Sequence, residues 1–130
     1  FRYQLLRAGV KKLDGLLFTH EHKDHIAGMD DIRAFNYVCK QPVDIYATKQ
    51  VQDAIKKEFH YAFEAIKYPG VPELNLHTIV NEPFTIGTIT FTPILVKHFL
   101  LDSGLVILPI SQMRKRSLNL NIQRSLVRMS

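Results

Sequence analysis

Apolar and polar residues alternate along much of the chain, and the period changes from segment to segment. Residues 3–9, Tyr-Gln-Leu-Leu-Arg-Ala-Gly, predict a short helix stopped by Gly9. Leu16-Leu17-Phe18-Thr19 follows Asp14-Gly15 as a compact apolar run, the pattern of a buried strand. A helix opens at Gly28-Met29-Asp30-Asp31 and runs to about Val38, with Ile32, Phe35 and Tyr37 near one side and acids in the first turn, where the helix dipole favours them. Val43-Asp44-Ile45-Tyr46-Ala47 alternates as a strand. Thr48 is a good N-cap for a helix from Lys49 to about Phe59. Tyr68-Pro69-Gly70-Val71-Pro72 is a loop. Residues 76–80, 84–86 and 88–91 read as strands, and Ile94-Leu95-Val96 as a further apolar strand that delivers Lys97-His98. The order of helix, strand, helix, strand, helix and then several strands is a mixed α/β layer pattern, without internal repeat. Leu105-Val106-Ile107-Leu108 can form a strand, but no period survives beyond Pro109.

Length and composition fit this picture without sharpening it. The 130 residues leave room for one core. No apolar run is long enough to cross a bilayer. Phe1-Arg2-Tyr3-Gln4 is neither a signal peptide nor a natural start, so the sequence is expected to begin inside a longer protein. The one cysteine, Cys39, cannot form an internal disulfide, which makes a cytoplasmic setting the default expectation. We read it as a small buried residue at a helix end.

Charge adds one distinction. The net charge is +5, but residues 1–99 hold 12 Lys and Arg against 11 Asp and Glu, while residues 100–130 hold 5 against Asp102 alone. The excess lies in the tail, without aromatic interleaving, so a solvated end accounts for it and nucleic acid is not expected as a partner.

The chemistry concentrates in Thr19-His20-Glu21-His22-Lys23-Asp24-His25. His20 and His22 stand two apart directly after a strand, and in extended chain such residues point the same way. Two imidazoles on one side can grip one metal ion, while Asp24 and His25 follow across the turn and can reach a second. Imidazole with carboxylate suits Zn, Mn or Fe, and the end of a strand is where α/β proteins place their sites. An accidental H-x-H-x-D-H arises in about one such chain in a thousand.

Leu16 to Met29 resembles the signature of the metallo-β-lactamase superfamily: a strand, then T-H-x-H-x-D-H-x-x-G. Asp-Asp-Ile-Arg-Ala-Phe-Asn (30–36) is similar to the subgroup that contains the cyclic phosphodiesterases of phosphonate metabolism, with the tRNA 3′-processing endonucleases more distant. The resemblance covers residues 1 to about 99 and implies an α/β fold, roughly the N-terminal half of an αββα sandwich, with residues 100–130 an atypical tail. It implies His20, His22 and His98 as ligands of a first metal, and Asp24 and His25 as ligands of a second, with Zn or Mn as the ions. It also implies hydrolysis of a small-molecule or nucleotide-like phosphodiester through a metal-bound hydroxide, Asp24 orienting the water as the catalytic residue. His60 and His77 match no role and are read as structural, and Glu21 and Lys23 as surface.

The family pattern needs two more ligands, a bridging Asp some fifteen to twenty residues after His98 and a late His. This chain has Ser111, Gln112 and Met113 in that window and no His after His98. One codon choice for Leu105 to Lys115, read from the last base of the first codon, encodes Gly-Asn-Phe-Ala-Tyr-Ile-Thr-Asp-Ala-Lys, a strand that ends on an Asp. A frameshift between about residue 99 and residue 105 is therefore expected. As written, the chain is expected to be inactive, and a non-catalytic metal-binding fragment is the alternative reading.

Overall fold

The computed structural model describes residues 2–97 and the strand at 103–109. Helix α1 spans Arg2–Arg7 and the two-residue strand β1 spans Leu16–Leu17. Helix α2 (Lys23–Ile26), a 3-10 segment (Ala27–Ile32) and α3 (Arg33–Cys39) follow without a break. Then come β2 (Val43–Ala47), α4 (Lys49–Glu58), a short 3-10 turn (His60–Ala62), β3 (Leu74–Thr78), β4 (Phe84–Ile86), β5 (Ile89–Lys97) and β6 (Ser103–Pro109).

Two three-stranded sheets result. β1, β2 and β3 run parallel in that order, with Leu17 opposite Tyr46 and Tyr46 opposite His77. β4, β5 and β6 are antiparallel, with Phe84 opposite Phe91 and Ile94 opposite Val106. Because side chains alternate across a strand, β2 divides its residues between two cores. Val43, Ile45 and Ala47 are buried against the helices, together with Ile26, Met29, Ile32, Phe35, Val51 and Ile55. Tyr46 faces the other way and packs with Leu17, Phe84, Ile86, Ile89 and Phe91 in a second, smaller core. Helices thus cover one face of the parallel sheet and the antiparallel sheet packs on the other, an α–β–β layering and part of the expected sandwich.

The single helix expected over 28–38 is instead split. From the end of α2 into α3 the buried side chains are Ile26, Met29, Ile32 and Phe35, a spacing of three. Three residues per turn is the 3-10 period, which stacks side chains at i and i+3 on one line. Tyr37, expected near the buried side, falls off that line and is exposed. β3 begins two residues before the strand expected at 76–80, since its register is set by β2, with Val43 opposite Leu74 and Ala47 opposite Thr78. The strands expected at 88–91 and 94–96 form one strand, β5. Pro93 is accommodated where, among the described residues, β5 has a neighbour on one side only: β4 pairs no further than Phe91, and β6 borders Pro93. The strand expected at 105–108 is β6.

α4 is fixed at its N-terminal end. The Thr48 side chain accepts a hydrogen bond from the Val51 amide at 3.4 Å, and the buried Gln52 side-chain amide donates to the Ala47 carbonyl at 3.2 Å and to Thr78 Oγ1 at 3.0 Å. The helix therefore sits over the C-terminal ends of β2 and β3. Among the described residues no helix is long and apolar enough to cross a membrane.

Candidate metal centre

β1 carries the motif to the C-terminal end of the parallel sheet. The Phe18 amide extends the ladder by donating to the Tyr46 carbonyl at 2.9 Å, and the Phe18 side chain is buried, so the chain leaves the sheet at Thr19 from a fixed point. His22 stands at the N-cap of α2 with extended backbone (φ −59°, ψ 143°). Its carbonyl accepts from the amides of His25 and Ile26 at 2.9 and 3.2 Å. The buried Ile26 anchors this helical turn in the main core. The sequence H-x-H-x-D-H thus becomes two extended residues and one turn of helix, which folds His25 back over His20.

The three imidazoles meet. The His20 and His22 ring centroids are 4.7 Å apart at 81°, and those of His20 and His25 are 3.8 Å apart at 48°. Asp24 Oδ2 lies 3.4 Å from His25 Nε2. Thr19 Oγ1 lies 3.0 Å from His20 Nδ1. Burial pushes the His20 pKa down, and the neighbouring His25 and His22 push it further. That holds His20 in the neutral form a metal requires.

The donor set fits a divalent ion in kind: neutral imidazole beside carboxylate. As the rings stand, they pack on one another, and no three His, Cys, Asp or Glu side chains among the described residues converge on one point. Coordination therefore requires side-chain rotation, which the exposure of His22, Asp24 and His25 permits. His98, expected as the third ligand of the first metal, lies outside the described residues, as do Ser111, Gln112 and Met113.

Two residues read from the sequence as surface have partners. Glu21 Oε1 accepts from the Gln50 side-chain amide at 2.6 Å, and Lys23 forms an ion pair with Glu58. The intervening positions of the motif thus tie its loop to both ends of α4. Nothing local in the sequence marks these contacts. Of the histidines without an assigned role, His77 lies in β3, hydrogen bonds to Asp44 Oδ1 at 2.9 Å and stacks on Tyr46 at 4.7 Å, while His60 starts the 3-10 turn after α4.

A sequence profile of the beta-lactamase superfamily domain matches residues 1–120. The chain belongs to the beta-lactamase superfamily. A solved structure described as a new diphosphatase from the PhnP family superposes with a TM-score of 0.70 at 28% identity, over 84% of this chain and 41% of that one. The metallo-beta-lactamase fold protein YhfI from Bacillus subtilis aligns at 23% identity with a TM-score of 0.48, over 74% of this chain and 36% of its own. An octanoyltransferase of Porphyromonas gingivalis (strain ATCC BAA-308 / W83) is 38% identical over 99 residues, 75% of this chain and 20% of that protein. The superfamily member described here therefore spans one-fifth of that relative's length and about two-fifths of the diphosphatase, and it holds part of the metallo-β-lactamase fold.

Proposed function

We propose that this chain carries the first portion of a divalent-metal centre for phosphodiester hydrolysis, with Zn or Mn as the ion. The observation that carries the reading is the meeting of the His20, His22 and His25 rings, with Asp24 beside them, at the end of β1. Likeness to the PhnP-family diphosphatase supports a phosphoester as the substrate class. His20 and His22, with His98, would hold one ion, and Asp24 with His25 a second. When bound, the metal supplies Lewis acidity, polarising a phosphoryl oxygen and acidifying water. Asp24 accepts a hydrogen bond from the attacking water and orients it. His20, kept neutral by its surroundings, presents a lone pair rather than a charge.

A second reading has a specific observation behind it. No His follows His98, and the only later acid is Asp102. For the polypeptide as written we infer a metal-binding segment without hydrolytic activity, because Ser111, Gln112 and Met113 offer no carboxylate where a bridging Asp is expected.

Metal analysis by mass spectrometry after dialysis tests the site: about one tightly held divalent ion per chain is expected, because one site alone retains a three-His shell. His20→Ala should abolish binding and His60→Ala should not. Two tightly held ions would contradict the fragment reading. A frame-corrected chain extended to its natural ends should hydrolyse bis(p-nitrophenyl) phosphate with added Mn or Zn, and Asp24→Ala in it should not. If that protein binds two metals and cleaves no phosphodiester, the substrate class is wrong.

A further inference from the structure

We propose that Thr19 is a positioning residue for His20: its hydroxyl engages Nδ1 and so dedicates Nε2 to the metal. The inference rests on the metal centre proposed above. Thr19 Oγ1 lies 3.0 Å from His20 Nδ1, and both side chains are half-buried at the mouth of the sheet. A neutral imidazole carries one proton, on either nitrogen, and the nitrogen without it is the ligand. With Nδ1–H donating to the Thr19 oxygen, Nε2 carries no proton and keeps its lone pair. A hydrogen bond to the far nitrogen of a ligating histidine also fixes the ring's orientation and raises its basicity, and such partners typically contribute 10–100-fold in metal affinity.

The local backbone makes the arrangement specific. Phe18 is buried and bonded to Tyr46, so Thr19 is the first residue free of the ladder and its Cβ position is set by the strand. A hydroxyl at this point needs little further backbone ordering, since the adjoining residue Phe18 is already held by the sheet. Serine keeps the oxygen; valine keeps the shape and loses it. Thr19 thus extends the motif by one position toward the sheet, through a contact that does not itself touch the ion.

The test uses zinc alone as the probe and the full chain. Zinc affinity by competition with a chromophoric chelator should fall 10–100-fold in Thr19→Val and return to within about threefold of wild type in Thr19→Ser. In the metal-free protein, imidazole 15N shifts should report His20 with its proton on Nδ1, and Thr19→Val should move the proton toward Nε2. Wild-type affinity in Thr19→Val, or a His20 tautomer unchanged by it, overturns the role of Thr19 while leaving the metal centre standing. Zinc binding that is absent from the wild type, or indifferent to His20→Ala, overturns the centre itself and the positioning role with it.

Discussion

Gly15→Ala should destabilise the fold at the root of the strand that carries the site. A Cβ built on Gly15 would lie 2.8 Å from Tyr46 Cε2 and 3.2 Å from both Tyr46 Cδ2 and Ile86 Cγ2. Carbon atoms in contact rest at roughly 3.5–4.0 Å, so the new methyl overlaps the tyrosine ring by more than half an ångström. The ring has little room to retreat. It stacks on His77 at 4.7 Å and on Phe84 at 5.7 Å, with interplanar angles of 16° and 11°. Overpacking of this kind costs about 1–3 kcal/mol. Gly15 does not have a positive φ, so alanine would also stiffen the unfolded chain, which offsets about 0.4–1 kcal/mol. The net expectation is a loss of about 1–2 kcal/mol. Urea unfolding followed by far-UV circular dichroism and tyrosine fluorescence measures it, the chain having no tryptophan. The same substitution in a Tyr46→Ala background should cost at least about 1 kcal/mol less, because the overlap with the ring is gone and the contact with Ile86 at 3.2 Å alone remains. A midpoint equal to or above that of wild type, or an unchanged penalty in the Tyr46→Ala background, would refute the claim that Gly15 lets the two sheets close.

Ile45 is fully buried at the centre of the parallel sheet, and Ile45→Ala should cost about 2–5 kcal/mol in the same unfolding assay. Asp44 is raised by partial burial but lowered by more through the hydrogen bonds from His77 and Asn75 and the charge of His77, so its folded pKa lies below the ordinary value. A depressed carboxylate contributes stability that is present above its unfolded pKa and lost as pH falls through the folded one; Asp44→Asn should flatten the acid limb of the stability profile below about pH 4. Burial, with the hydrogen bond to Asp30 and that residue's charge, pushes the Tyr61 hydroxyl up to about 12. A raised group contributes stability below its unfolded pKa and loses it as pH rises through the folded one, so Tyr61→Phe should remove an ultraviolet absorbance step near pH 12 and the stability change between about pH 10 and that point.

Where local chemistry decides an element, the sequence announces it. The alternation of Val43 to Ala47 and the cap at Thr48 both reappear at the same residues, because a period of two and a side-chain oxygen before a helix need no distant partner. β3 and β5 depended on partners: the register against β2 moved the first, and β5 runs through Pro93 where, among the described residues, it has β6 as its one neighbour. In the helical stretch after the motif, the step of three from Ile26 to Phe35 was written in the sequence but is easily read as a loose 3.6. The site divides the same way. His20, His22, Asp24 and His25 are spelled out in one word, whereas Glu21 and Lys23 acquire partners only when α4 folds over the sheet. Thr19 was visible as a neighbour, but its bond to Nδ1 depends on the ring's rotamer, which no spacing encodes.

β1 is two residues long, and its side chains part company: Leu16 packs with the helical core and Leu17 with the inter-sheet core. The histidine cluster therefore hangs from a hinge pin shared by both layers. Looseness in either layer should reach the imidazoles through β1, against the hold that Ile26 and the Glu21 and Lys23 contacts keep on the loop. A variant screen for metal binding will in consequence return core positions alongside ligands, and the two classes separate only when affinity is measured against unfolding free energy for each variant. For an engineer, the same geometry offers tuning without touching a ligand: filling or emptying either core beneath Leu16 or Leu17 shifts the stance of His20.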